Sequence, residues 1–233
     1  MAPHDFDSRV TSIAALGEPV RRQLYRYVAG QPDPVGREQA AAALGVPRHV
    51  AKFHLDKLEE EGLLEVEYAR PPGRSGPGAG RPAKLYRRSR HDVEVSLPER
   101  RYDLAARVMA EAITKAEVQS VPVVAALHEA AAEAGRELGR EARIKARERA
   151  RTGGALGAVE QVLAVRGYEP RHAGHGLELA NCPFHNLAQR YTNLVCGINF
   201  DLIDSLLDEA GVTGVHAQLQ PSPGRCCVTI SGQ

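Results

Sequence analysis

Four cysteines, Cys182, Cys196, Cys226 and Cys227, fall in the last quarter of a 233-residue chain. In a reducing compartment such clustering points to metal or redox chemistry rather than to structural disulfides. Cys182 is followed by Pro183, which places it beside a helix start, and His185 lies three residues on, over the same face of that turn. Cys196 falls near the start of the next helix. Thiols in such places feel the positive end of the helix dipole, which favours the thiolate that binds metal or reacts. In a final strand RCCVTIS, alternation turns Cys226 to the buried side with Val228 and Ile230, and leaves Cys227 opposite as a bystander. Cys182, His185, Cys196 and Cys226 are the candidate ligands. Three thiolates and an imidazole can complete a tetrahedral zinc site or hold an iron-sulfur cluster, and the spacing does not choose between them. The same residues also suit four small buried hydrophobes or a metal-free thiol switch. A nucleophilic role for Cys182 or Cys196 with His185 as base lacks an orienting acid or an oxyanion-type glycine turn beside either cysteine. His172 and His175, in the turn RHAGHG, read as spare ligands or exposed turn residues.

A second kind of chemistry is written in residues 47–88, PRHVAKFHLDKLEEEGLLEVEYARPPGRSGPGAGRPAKLYRR. Pro47 suits a first helical position and Gly62 a left-handed stop, so a helix is expected over 47–61. Ala51, Leu55 and Leu58 recur at helical spacing and face a core; Arg48, His49, Lys52 and Phe53 fall on the other side. LLEVEYA and AKLYRR then read as two strands of a hairpin with a long tip of Gly and Pro. The tip and return strand carry Arg70, Arg74, Arg81, Lys84, Arg87, Arg88 and Arg90 with no acidic residue among them. Such a loop can follow a groove and pair with phosphates. Arg48, His49, Lys52 and Phe53 would lie nearest base edges, with Arg74, Arg81 and Lys84 on phosphates or in the minor groove.

The elements that must position these groups read as follows. Residues 8–30 form two short helices broken at Gly17 and Pro19, QPDPVG is a turn, and REQAAAALGV is a third helix closed by Gly45. The third helix, its turn and the helix from residue 47 make a helix-turn-helix, and the basic hairpin after it makes that a winged one. Residues 91–98 form a linker with a short strand VEVSL. Leu104, Val108 and Ile113 then lie near one face of a helix, and Ser120 caps a long Ala-rich helix running to Gly153 and Gly154. That helix serves as a dimer interface or a solvated connector. From residue 155 the order helix, two strands, two helices, two strands describes a small α+β domain with an antiparallel sheet. The expected fold is therefore α+β: a winged helix-turn-helix over 1–92, central long helices over 93–154, and a cysteine-bearing domain over 155–233.

Composition narrows the rest. The chain is 43% hydrophobic and 25% charged with a net charge of +1, so affinity for nucleic acid must come from local clustering. Trp is absent and aromatics are 5%, which offers no stacking platform for single strands. The chain holds no apolar run of 18 residues and opens on MAPHDFDSRV, without a basic-then-apolar signal, so a cytoplasmic protein away from the membrane is expected.

The run VAKFHLDKLEEEGLLEVEYARPPGRSGPGAGRPAKLYR resembles the winged helices of an ArsR-like family of bacterial transcriptional regulators, with His-Leu-Asp-Lys-Leu and Gly-Arg-Pro-Ala-Lys as the characteristic pieces. NCPFH, VCGIN and GRCCV in the tail are similar to the SufR-like branch, the iron-sulfur-responsive repressors. The resemblance implies three cluster cysteines, which by motif correspond to Cys182, Cys196 and Cys226. Asn199 stands where some relatives have a His. A homodimeric repressor of operator DNA, controlled by an iron-sulfur cluster or alternatively zinc, is the expectation. A regulator of a small hydrophobic ligand, with the cysteines structural, is the alternative.

Overall fold

The computed structural model describes residues 6–69, 82–148, 154–222 and 224–232. The chain forms two compact units, Met1–Val95 and Ser96–Gln233.

In the first unit α1 (Phe6–Ala15) and α2 (Pro19–Ala29) precede a two-residue strand β1 (Val35–Gly36), α3 (Arg37–Leu44), α4 (Arg48–Glu60), β2 (Leu64–Ala69) and β3 (Ala83–Arg88). Glu18 starts α2 by accepting hydrogen bonds from the Val20 and Arg21 amides, 3.1 and 2.5 Å. Pro47 stands just before α4 as its cap. Gly62, at φ +72°, turns the chain out of α4 into β2, a conformation that costs a residue with a Cβ. The strands pair antiparallel in the order β1-β3-β2, from Leu64 opposite Arg88 to Ala69 opposite Ala83. The hairpin is the one read from the sequence. Its arginine-bearing tip, with Arg70, Arg74 and Arg81, lies outside the described residues. Ala51, Leu55 and Leu58 of α4 are fully buried with Leu24, Val35, Ala40 and Tyr86, so the apolar seam faces the core as expected.

The second unit holds α5 (Tyr102–Gln119), α6 (Val123–Glu148), α7 (Gly154–Val165), β4 (Pro170–Ala173), β5 (Gly176–Leu179), α8 (His185–Arg190), α9 (Thr192–Ala210), β6 (Val215–Leu219) and β7 (Val228–Gly232). Its sheet is antiparallel in the order β4-β5-β7-β6, so the last strand inserts beside β5, with Leu177 opposite Ile230.

Four expectations change here. Residues 93–97 form no strand. Ser120 ends α5 in the left-handed region, φ +54°, instead of capping α6. Ile113 is exposed while Leu104, Val108, Ala112 and Ala116 carry the buried stripe of α5. The helices expected as a separate connector over 93–154 belong to the second unit: Ala126, Ala130, Ala131 and Ala134 of α6 share one core with Val162, Leu202, Leu206, Val228 and Ile230. Alanine is the reason, because its small side chain lets the backbones of α6 and α9 come close.

Gly135 is the tightest point of that contact. A Cβ there would stand 2.1 Å from the carbonyl oxygen of Leu202, on a backbone that cannot step aside. Gly135→Ala should destabilise the second unit by about 3 kcal/mol in urea unfolding, through overpacking. Gly157→Ala in α7, where a Cβ meets nothing within 4 Å, should instead stabilise by about 0.5–1 kcal/mol.

Candidate functional site

Asp56 organises the outer end of α4. Its Oδ1 accepts hydrogen bonds from the Tyr86 hydroxyl at 2.5 Å, Lys84 Nζ at 3.0 Å and Arg37 Nη2 at 3.1 Å. Arg37 Nε also donates to the Tyr86 hydroxyl at 2.9 Å, and Lys84 pairs in addition with Glu59. One carboxylate thus ties α4 to the first residue of α3 and to two residues of β3. Partial burial alone would raise the pKa of Asp56, but the Tyr86 and Lys84 hydrogen bonds and the Arg37 charge bring it from 3.8 down to about 2. Burial, with Asp56 as the hydrogen-bond partner, pushes Tyr86 up to about 12.

This corrects the reading of Lys84. Its side chain is only 17% exposed and its ammonium is held by two carboxylates, so it anchors the wing to α4 instead of facing phosphate. Arg48, His49, Lys52 and Phe53 do stand on the exposed face of α4, with Phe53 63% exposed. Arg48 reaches Glu38 at 2.6 Å and Lys52 reaches Asp56 at 3.6 Å. Both basic side chains remain more than half exposed, and ion pairs of that kind exchange readily for a phosphate. His54 was not singled out in the sequence. It is buried, with Nδ1 3.4 Å from Arg21 Nε and 3.5 Å from Glu18, and it ties α4 to the start of α2. An aspartate amid a basic helix face and a histidine in register with its apolar seam were the available signals.

A helix laid against a three-helix core, its outer face basic and its far end bonded to a β-hairpin, has the form of a groove reader. The model of the family described as "Helix-turn-helix domain" matches residues 16–67, from the end of α1 through most of β2. Residues 16–67 are a helix-turn-helix domain. This domain supports a DNA-binding regulator. No curated protein and no solved structure gives a significant match to the chain. Within the matched residues α3 and α4 form the helix-turn-helix, with α4 as its second helix, and the return strand that carries Lys84 and Tyr86 lies beyond them. Among the described residues no helix is long and apolar enough to cross a membrane.

The second unit brings all four cysteines together. Cys182 lies between β5 and α8, Cys196 in the second turn of α9, and Cys226 and Cys227 just before β7; all four are buried. Neighbouring thiols act on one another there, Cys226 on Cys182, Cys227 on Cys226 and Cys227 on Cys196. Cys227 is buried with the other three, because β7 begins only at Val228 and strand alternation does not govern the two cysteines before it. His185 stays apart: it is exposed at the start of α8, where Gln189 Nε2 donates to its Nε2 at 2.9 Å. Among the described residues no group of three or more His, Cys, Asp or Glu side chains stands in the arrangement that holds a metal ion. The donor types, four buried thiols, are nonetheless those of a thiophilic metal.

The expected low thiol pKa values are also corrected. The hydrogen bond with Cys226, then burial, pushes Cys182 well above the usual thiol range; burial raises Cys196. Cys226 is drawn down by Cys182, yet Cys227 and burial outweigh this and push it up to about 12. Desolvation in a closed core overrides the helix dipole. Behind Cys226 lies Asn199, buried, whose Nδ2 donates to its Sγ at 3.1 Å and whose Oδ1 accepts from the Tyr168 hydroxyl at 2.6 Å. A pocket between α5, α6, Phe184 and α9 holds about 10 Å³, room for one water and too little for an organic ligand.

Asp56→Asn should cost the first unit about 2 kcal/mol at neutral pH, since it weakens hydrogen bonds to a charged acceptor. Because the folded-state pKa lies below 3.8, that contribution is complete above pH 3.8 and fades as pH falls through about 2. Unfolding of wild type and variant should converge across that window.

Proposed function

We propose that this chain is a homodimeric transcriptional repressor that reads an inverted-repeat operator with α4 and is controlled through its buried cysteines. The observation that carries the DNA-reading half is the exposed row Arg48, His49, Lys52 and Phe53 on α4, the second helix of the helix-turn-helix. Arg48 and Lys52 supply charge and hydrogen-bond donors, His49 a further donor, and Phe53 an apolar edge for a thymine methyl. The wing residues Arg74 and Arg81 add phosphate contacts. A twofold dimer places two such helices one helical turn apart, which sets the half-site spacing.

The control half rests on four buried thiols drawn from three separate segments. Cys182, Cys196 and Cys226 would hold an iron-sulfur cluster or zinc, with Cys227 as a further donor; His185 has no part in it. Such a group, when bound, supplies a charged, thiolate-held centre that is lost or altered when iron, zinc or oxidant levels change. The protein's contribution is a closed core that keeps water from the sulfurs and an Asn199 N–H directed at Cys226. Control follows if the loaded and empty forms differ in DNA affinity.

Selection from a random-sequence duplex pool with the full chain should enrich inverted repeats whose half-sites lie about 10 base pairs apart. On an enriched duplex Lys52→Ala should weaken binding and lower the slope of log affinity against log salt by about one. Failure to enrich any sequence overturns the reading of DNA recognition. Independently, protein purified without oxygen should carry iron and sulfide, or zinc, and lose it in a Cys182→Ser variant. Elemental analysis that finds neither metal overturns the cysteine control.

A further inference from the structure

We infer that Arg100 and Asn181 are positioning residues that couple the state of Cys182 to residues 96–101, the segment through which the chain enters its second unit; this rests on the cysteine-centred control proposed above. Three consecutive residues, 99–101, are bonded to three consecutive residues around that cysteine. Arg100 Nη1 donates to Asn181 Oδ1 at 2.5 Å and to the Cys182 carbonyl at 3.1 Å. Asn181 Nδ2 donates to the Glu99 carbonyl at 2.9 Å and to the Gly167 carbonyl at 2.5 Å. The Arg101 amide donates to the Pro183 carbonyl at 3.1 Å. Ser96 extends the connection, its Oγ accepting from the Arg100 amide at 2.8 Å. Asn181 is buried, so its amide has no water to turn to when these partners move.

Cys182 is also the cysteine whose own backbone is bonded to the segment that enters the second unit. Cys196 is fixed by the helical bonds of α9, the Cys226 amide is held by the Leu179 carbonyl at 2.8 Å, and the Cys227 carbonyl accepts from Gln220 at 2.7 Å. Cys182, like Cys226 and Cys227, lies outside helix and strand, and its carbonyl also accepts from the His185 amide at 3.1 Å. Among the described residues no group of cysteines stands ready to hold a metal ion, so gathering the thiols about one centre requires movement, and a shift of the Cys182 backbone carries its bonded partners with it. Rigid peptide planes carry that shift from the sulfur to the Cys182 and Pro183 carbonyls, and the bonds from Arg100 and Arg101 hand it to residues 96–101. Val95 closes the first unit, so the coupled segment is covalently the next piece of chain after it.

The test uses full-length, metal-free protein and cadmium(II) as a thiolate-seeking probe. The ultraviolet thiolate-to-cadmium charge-transfer band reports binding, and hydrogen exchange at the Arg100 and Arg101 amides reports the coupling. In the wild type cadmium should change those exchange rates by at least about fivefold. In Arg100→Ala the band should persist and the exchange change should vanish; Arg100→Lys, which keeps the charge without the planar fork, serves if the alanine variant fails to fold. A retained band with unchanged wild-type exchange, or the same change in wild type and variant, overturns the coupling and leaves cysteine control standing. Absence of the band in the wild type overturns the cysteine-centred control, and the coupling with it.

Discussion

The Asp56 carboxylate is the point on which the first unit turns. A recognition surface built on one helix is useful only if its angle to the flanking hairpin is set, and hydrophobic contacts alone leave such an angle soft. Here one half-buried charge on α4 collects a tyrosine hydroxyl, an ammonium and a guanidinium from two other elements, so that α3, α4 and β3 share a single electrostatic node. The arrangement also sorts the basic residues. Lys84 and Arg37 neutralise the interior, which leaves Arg48 and Lys52, on the solvent side of the same helix, as the charges that can meet a polyanion.

The second unit depends on a different constraint, the closeness of two helices. Alanines and Gly135 on α6 let α9 lie against it, and α9 carries both Cys196 and the Asn199 that contacts Cys226. A buried polar line runs there from Tyr168 to Asn199 to Cys226. The thiols of Cys182, Cys196 and Cys226 are raised by their neighbours and by burial, so a metal that displaced their protons would have to supply the charge that the core otherwise excludes.

Much of this was legible in the residues. Gly62, the alternation of LEVEYA and the 51, 55, 58 seam are local signals, and each appears where its physics puts it. What escaped was non-local. Lys84 reads as one more cation in a basic hairpin, and only the strand register that sets it beside Asp56 and Glu59 turns it inward. His185 satisfies a Cys-x-x-His spacing, yet the turn that buries Cys182 leaves the histidine outside. Cys227 fails the alternation test because β7 begins at Val228, three residues later than the strand RCCVTIS read from the sequence. The division at residue 155 failed for a related reason: an alanine-rich helix looks the same whether its small face meets solvent or another backbone.

That shared core defines the smallest piece of the chain that can carry the cysteines. Because α7 and α9 rest on α6, and the four-stranded sheet rests on α9 and α7, a fragment beginning at residue 155 would leave Leu202 and Leu206 facing water. The cysteine-bearing tail is half of a fold whose other half comes before it in the chain, and the natural cut lies between Val95 and Ser96.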